Sequence, residues 1–409
     1  VLVQYRGQEV PEKVELRETA DVEAVAQKIE DRPAVEYATP NYIAEISSWL
    51  PNDRGVNARR AGQVAGWQQK QWNFLPCLSL CRSGASVGNQ SLGGINTVRA
   101  WRELRKAGRP GAAGVKVAVL DTGVAYRDYR NGFRRDPDLR EKSFIGGFDF
   151  VDDDRRPLDR NGHGTHITST ISQATNNRRG LTGIAYGAKI MPVRVMDAYG
   201  YGTTEHIVQG IRWAANHGAR VISMSINFQC GLAVPPLEEA LRYAHRKGAV
   251  LVGSSGNKGA VTCPSLPATA KQVISVGGST ESGCVAKYSF KSSAIDIAAP
   301  GGGSSGDECP AHTGNRPILQ MAMLGADPTR FSIESGWKGT SMAAAHVAGA
   351  AAMVLASGVL KDGTGPQKVE DRLTGSARLP AYAATDQASG FGAGILNLGK
   401  AVNPEFEAN

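Results

Sequence analysis

From about Gly66 onward, short apolar runs alternate with longer segments of helical periodicity, and no other feature of the sequence limits the fold as much. Val115-Lys-Val-Ala-Val-Leu120, Arg220-Val-Ile-Ser-Met-Ser-Ile226, Ala249-Val-Leu-Val-Gly253 and Gln272-Val-Ile-Ser-Val276 read as strands buried on both faces. Helices are expected over 204–217 and 237–247. Parallel strands cannot be joined by tight turns, so strands spaced by ten or more helical residues need right-handed crossovers. The expected class is α/β: a doubly wound, mostly parallel sheet with helices on both faces. In such sheets chemistry gathers at the carboxyl ends of the strands.

A smaller unit precedes it. Val1 to Tyr5 alternates like a strand, and Asp21 caps a helix to Glu30 with Val22, Val25, Ala26 and Ile29 on one face. Val35-Glu-Tyr-Ala38 then reads as a returning strand. Residues 1–46 are therefore a small α+β domain. Residues 47–66 are polar and rich in Gly and Arg without an apolar period, the pattern of an exposed linker, and residues 67–409 form the main domain.

Composition excludes several classes. With 41% apolar and 21% charged residues the chain is globular rather than disordered. No apolar run approaches the roughly 18 residues of a bilayer span, so a soluble chain with no membrane partner is expected. The net charge of +8 is spread over scattered pairs such as Arg59-Arg60, Arg134-Arg135 and Arg155-Arg156, interleaved with carboxylates. That is a solvated surface, not the basic stripe of a nucleic-acid binder. Cysteines stand at 77, 81, 230, 263, 284 and 309. Cys77 and Cys81 have zinc-like spacing but lack the second half of a site, so three disulfides are expected. Proximity favours Cys77–Cys81 and Cys284–Cys309, which leaves Cys230–Cys263. The chain starts at Val1 without Met or signal sequence, so either a leader has been removed or the chain has been trimmed; with three disulfides, an exported protein is expected.

Three segments carry chemistry. Asp121 follows the strand ending at Leu120, in Val-Leu-Asp-Thr-Gly. His163 lies in Asn161-Gly-His-Gly-Thr-His166, and Ser341 in Gly339-Thr-Ser-Met-Ala-Ala-Ala-His346, each opening a helix of small residues. A hydroxyl is a poor nucleophile at neutral pH. It needs an imidazole to take its proton and a carboxylate to hold the imidazole's tautomer. At a helix start Ser341 would also stand beside unpaired N–H groups able to face an oxyanion.

These motifs, in the order Asp, His, Ser, resemble the subtilisin-like serine proteases, and the likeness runs from about residue 67 to 403. It includes Val273-Ile-Ser-Val-Gly, Ala299-Pro-Gly and Gly394-Ile-Leu-Asn. The resemblance implies a secreted serine endopeptidase that cleaves protein or peptide substrates through an acyl-enzyme, as a monomer. Asp121, His163 and Ser341 would form the triad, and Asn257, in Ser255-Gly-Asn257, the oxyanion-hole amide. Residues 1–46, ending in Val35-Glu-Tyr-Ala-Thr-Pro-Asn-Tyr42, are similar to the family's inhibitory propeptide. They imply a self-inhibited zymogen with its own propeptide as intramolecular partner, cut within 47–66. Alternatives are a catalytically silent peptide-binding homologue, or an acyl transferase or peptide ligase using the same triad.

The resemblance also implies two backbone edges that hold substrate by strand addition: Gly200 with Gly202, and Ser225, Ile226 and Asn227. Ser254, Ser255 and Gly256 would wall the pocket beside the nucleophile. Here Asn227 and Phe228 stand where the family usually has two glycines, which should reshape that pocket. Ala345 replaces a usual proline and would favour acyl transfer to amines if it shifted Ser341. Calcium is the implied cofactor. One site would use Gln71, Asp138, Asn177 and the carbonyls of Thr175, Arg179 and Leu181; a second would use Asp149, Asp152 and Asp154. Residues 301–337 read as a long loop.

Overall fold

A computed structural model describes residues 1–8, 10–16, 21–40, 49–55, 66–77, 90–130, 132–259, 265–306, 309, 315–360, 363–380 and 390–406. The chain divides into two compact units, Val1–Trp49 and Leu50–Asn409.

The first unit is a three-stranded antiparallel sheet with one helix. Strand β1 (Leu2–Tyr5) lies between β2 (Glu12–Lys13) and β3 (Val35–Thr39). Helix α1 (Val22–Glu30) is started by Asp21, whose Oδ1 accepts the Ala24 N–H at 3.1 Å. Val1, Val3, Ala26, Ile29, Val35 and Ala38 form its core. Val22, expected on the same face, is exposed at the helix start.

The second unit begins with α2 (Trp67–Lys70) and α3 (Thr97–Lys106), and is built on β4 (Lys116–Asp121), β5 (Phe148–Asp149), β6 (Lys189–Arg194), β7 (Val221–Met224), β8 (Val250–Ser254), β9 (Val273–Ser279) and β10 (Ile297–Pro300). These pair in the order β10-β9-β8-β7-β4-β6-β5, every pair parallel. The chain leaves β4 for the edge at β5, returns inward to β6, and then crosses to build outward on the β7 side, which makes the end of β4 the switch point of the sheet. Between strands run α4 (His163–Ser172), α5 (Thr204–Asn216) and α6 (Pro235–Arg246). Ala118 and Leu120 of β4 pack with Ile207 and Ile211 of α5 and with Leu237 and Leu241 of α6 in one core.

Strand β6 was not expected, because Pro192 interrupts its apolar run and proline is poorly tolerated inside a sheet. It is accommodated because β5 pairs only with Val193 and Arg194, leaving β6 an edge at Pro192. The stretch 301–337 is not simply a loop. It contains an antiparallel hairpin of β11 (Gln320–Met323) and β12 (Phe331–Glu334). Residues 50–55 are likewise not an exposed linker. The buried Asp53 carboxylate accepts the N–H groups of Asn176 and Asn177, Trp67 Nε1 donates to Pro51 O, and Gly55 N donates to Gly180 O. The Arg59-Arg60 pair lies outside the described residues.

Cys284 and Cys309 are bonded, with Cα atoms 6.0 Å apart. Cys77 and Cys230 are disulfide-bonded as well; Cys81 and Cys263, to which they were matched, lie outside the described residues. The last helices are α7 (Thr340–Ser357), α8 (Pro366–Ser376) and α9 (Leu398–Ala401). Over its 18 residues α7 is apolar enough to match a membrane span by length and composition, contrary to the sequence reading. It is instead buried within the fold, packed against β7 to β10 and α4.

Candidate active site

Asp121 is the last residue of β4 and is buried at the switch point. Its Oδ1 lies 2.8 Å from Nδ1 of His163, the first residue of α4. Gly162 ahead of it takes φ +105°, a conformation that L side chains rarely adopt, so the turn that presents the imidazole requires glycine there. Burial alone would disfavour the imidazolium. The Asp121 charge and hydrogen bond, helped by the charge of Asp159, outweigh it and raise the His163 pKa above its ordinary value.

Asp159 escaped the sequence reading because it stands four residues ahead of His163 rather than at the N-cap position, which Gly162 occupies. It is fully buried and burial raises its own pKa, against five donors. Its Oδ1 accepts Thr122 Oγ1, Asn161 N and Gly162 N, each at 2.9 Å. Its Oδ2 accepts Thr165 N at 2.9 Å and Thr165 Oγ1 at 2.6 Å. One carboxylate thus ties the end of β4 to the start of α4.

Ser341 is the second residue of α7. Ser225, just beyond β7, donates its hydroxyl to the Ser341 carbonyl at 3.1 Å. Asn257, just beyond β8, accepts Thr340 N at 2.9 Å and Thr340 Oγ1 at 3.1 Å through its Oδ1. The amide orientation is thereby fixed, and its NH₂ end remains the donor. Gly339 is required beside it: φ is +150°, and a Cβ would stand 3.3 Å from the Asn257 amide. The two halves of the site meet where α4 packs on α7 and the Trp337 ring lies 5.8 Å from the His163 ring. His166 stacks on Trp337, and His346 is bound by Asn73 and Met342 O. Burial holds both neutral, at about 3 and about 4.

Among the expected substrate-contacting residues, Ser225 reaches Ser341, Ser254 and Ser255 are fully buried, and Ile226 turns its side chain into the core. Only the backbone of Ile226 is left for substrate. Gly256 is fixed by a bond from its N–H to Thr340 Oγ1. The loop with Gly200 and Gly202 is tethered to the His163 loop through Asn161 Nδ2 and Ala198 O.

The expected calcium ligands fare unevenly. Gln71 is spent: its Oε1 accepts Thr182 N and Oγ1, and its Nε2 donates to Thr182 O. The Thr175 carbonyl is taken by Arg140 Nη2 at 2.6 Å. The second set does not form an oxygen cage at all. Arg194 Nη1 lies 2.8 Å from both Asp149 Oδ2 and Asp152 Oδ2, and Arg156 holds Asp154, so guanidinium groups already balance that charge. Around Asp138 the balance differs. Burial is the chief cause that lifts Asp53 and Asp138 to about 6 and Asp136 to about 8. Asp136 Oδ2 has no partner among the described residues. The Asp138 carboxylate is itself engaged, accepting Asn177 Nδ2 at 2.7 Å, Gln173 Nε2 at 2.6 Å and Leu181 N at 3.1 Å, and Asn177 Oδ1 accepts Arg179 N at 2.9 Å. No group of three or more acid, His or Cys side chains able to hold a metal stands among the described residues, so the feature that suits calcium here is the buried negative charge of Asp53, Asp136 and Asp138 rather than an open oxygen cage.

A family model described as the Subtilase family matches residues 112–393. A thermophilic serine proteinase of Bacillus sp. is 32% identical over 349 residues, 85% of this chain and 70% of that protein. Thermitase of Thermoactinomyces vulgaris is 36% identical over 246 residues, 60% of this chain and 76% of thermitase. Among solved structures, a protease from Pseudoalteromonas arctica matches with a TM-score of 0.62 at 29% identity, covering 76% of this chain and 94% of that one.

Proposed function

The chain belongs to the subtilase family and is a subtilisin-like serine endopeptidase, and from that premise we propose that Ser341, His163, Asp121 and Asn257 perform the reaction. The observation that carries this assignment is the 2.8 Å contact of His163 Nδ1 with Asp121 Oδ1 at the switch point of the sheet. With Nδ1–H donated to the carboxylate, Nε2 is left as the base. It takes the Ser341 proton as Oγ attacks the peptide carbonyl, and returns it to the leaving amine. The Asn257 NH₂ and the Ser341 N–H, at the start of α7, stabilise the tetrahedral oxyanion. Water then hydrolyses the acyl-enzyme with the same base. A serine-directed phosphonate should label the chain once, at Ser341, and Ser341→Ala should abolish labelling; an unlabelled chain rejects the assignment.

The enzyme is made as a secreted zymogen in this reading. A separately folded first unit and four disulfide-bonded cysteines support it, since disulfides persist in oxidising compartments. The first unit acts as the inhibitor and is released by a cut in the segment after it. Full-length chain should convert to a shorter active form, and Ser341→Ala should not. Calcium held by Asp53 and Asp138 would supply the positive charge that these buried carboxylates lack.

A further inference from the structure

The carbonyl carbon attacked by Ser341 is one bond from the Cα of its own residue, so that residue's side chain must occupy the space beside Ser341. Two strand ends bound this space. On one side Ser225 donates to the Ser341 carbonyl. On the other, Ser254 to Gly256 lead into Asn257, which holds Thr340. These are the carboxyl ends of the neighbouring parallel strands β7 and β8, and a side chain crosses the space between them.

Asn227 Nδ2 donates to the Ser254 carbonyl at 2.6 Å and lies 3.4 Å from Ser265 Oγ. Ser254 Oγ donates in return to Asn227 Oδ1 at 3.1 Å. Both ends of the amide are therefore engaged, and its partner Ser254 is fully buried. Asn227 itself is exposed, so a group entering between the two strand ends from solvent can reach this bridge. Pushing it aside would leave a buried hydroxyl and a buried carbonyl without partners, which makes the bridge stiff rather than yielding.

We propose that the Asn227–Ser254 bridge closes the floor of the pocket beside the nucleophile, so that the enzyme cleaves after small residues: glycine, alanine or serine. This rests on the endopeptidase assignment above and names the substrate class of the same site. A residue with one or two heavy side-chain atoms fits above the bridge. Leucine or phenylalanine collides with the amide.

The test uses the full-length chain, allowed to process itself, and quenched-fluorescent peptides differing only at the residue whose carbonyl is attacked. The wild-type enzyme should show kcat/KM for alanine about 10²-fold above that for phenylalanine, a ratio of the size a steric pocket enforces. Asn227→Gly removes the bridge and should raise the ratio of kcat/KM for phenylalanine to that for alanine at least about tenfold. Asn227→Ala, which keeps a Cβ, should fall between them. Phosphonate labelling of every variant confirms that each is folded. A wild-type preference for leucine or phenylalanine, or an unchanged ratio in a labelled Asn227→Gly, overturns the proposal while leaving the endopeptidase assignment intact. Absence of labelling in the wild-type chain overturns both.

Discussion

The hydroxyl of Thr122 donates a 2.9 Å hydrogen bond to the buried carboxylate of Asp159, joining the residue after Asp121 to the loop that precedes His163. Asp121 and His163 thus share a support across 37 residues of sequence separation. In Asp159→Asn one accepting oxygen becomes an NH₂ facing only donors, and the negative charge that helps raise the His163 pKa is lost. Displacing a base by a fraction of an ångström is expected to lower kcat roughly 10- to 100-fold with little change in KM. The acid limb of kcat/KM should also move to lower pH. A fall in kcat with an unmoved limb would reduce Asp159 to scaffolding.

For His163 the sign is set by which charge state works. The base must be neutral, and its pKa is raised, so kcat/KM should climb with pH through a midpoint above the ordinary 6.5. Asp121→Asn leaves burial as the dominant influence and should pull that midpoint below 6.5. It should also lower kcat by about 10⁴, because the wrong tautomer is held. A pH-rate profile of both enzymes checks the direction, and an unchanged midpoint in Asp121→Asn would detach the two residues.

What the sequence showed and what it hid have physical causes. Continuous apolar runs such as Val117 to Leu120 and Val250 to Val252 announced central parallel strands, because strands buried on both faces carry no polar alternation. Asp121, His163 and Ser341 stood out for a related reason: each sits in a short glycine-rich turn at a strand or helix end. Strand β6 was hidden by Pro192, and the β11–β12 hairpin by the glycine-rich stretch before it. The support by Asp159 and the bridge from Asn227 to Ser254 were invisible, since each joins segments brought together only by the sheet. The acidic run at Asp149 read as a cation site because Arg194, which fills it, is 45 residues away in sequence.

Asn257 supplies the next test. Its Oδ1 is occupied by Thr340, so only the NH₂ can act, and Asn257→Ala removes that donor along with the support of Thr340. Loss of one oxyanion donor costs roughly 10²–10³ in kcat, a magnitude taken from a related protease and not from this geometry. Asn257→Asp keeps the Thr340 contact but presents a second oxygen instead of the NH₂, and should be at least as slow. If Asn257→Asp restored activity, the role of Asn257 would be to hold α7 rather than the oxyanion.

The charge around Asp138 predicts how metal removal depends on pH. Asp53 and Asp138 are lifted to about 6 and Asp136 to about 8, all chiefly by burial. A carboxyl whose folded pKa exceeds its unfolded value of roughly 4 favours the fold while protonated. That contribution is complete below pH 4 and disappears as the pH rises through 6 and then 8. Without a cation, stability should therefore decline from pH 5 to pH 8. Calcium bound there would cancel the decline by balancing the ionised carboxylates. A chelator should then lower Tm by about 3–4 °C at pH 8, for binding near 100-fold above Kd, and by much less at pH 5. Asp138→Asn removes one of the charges and should shrink the chelator effect at pH 8. Equal chelator shifts at both pH values, or none at either, would show that these carboxylates hold no calcium.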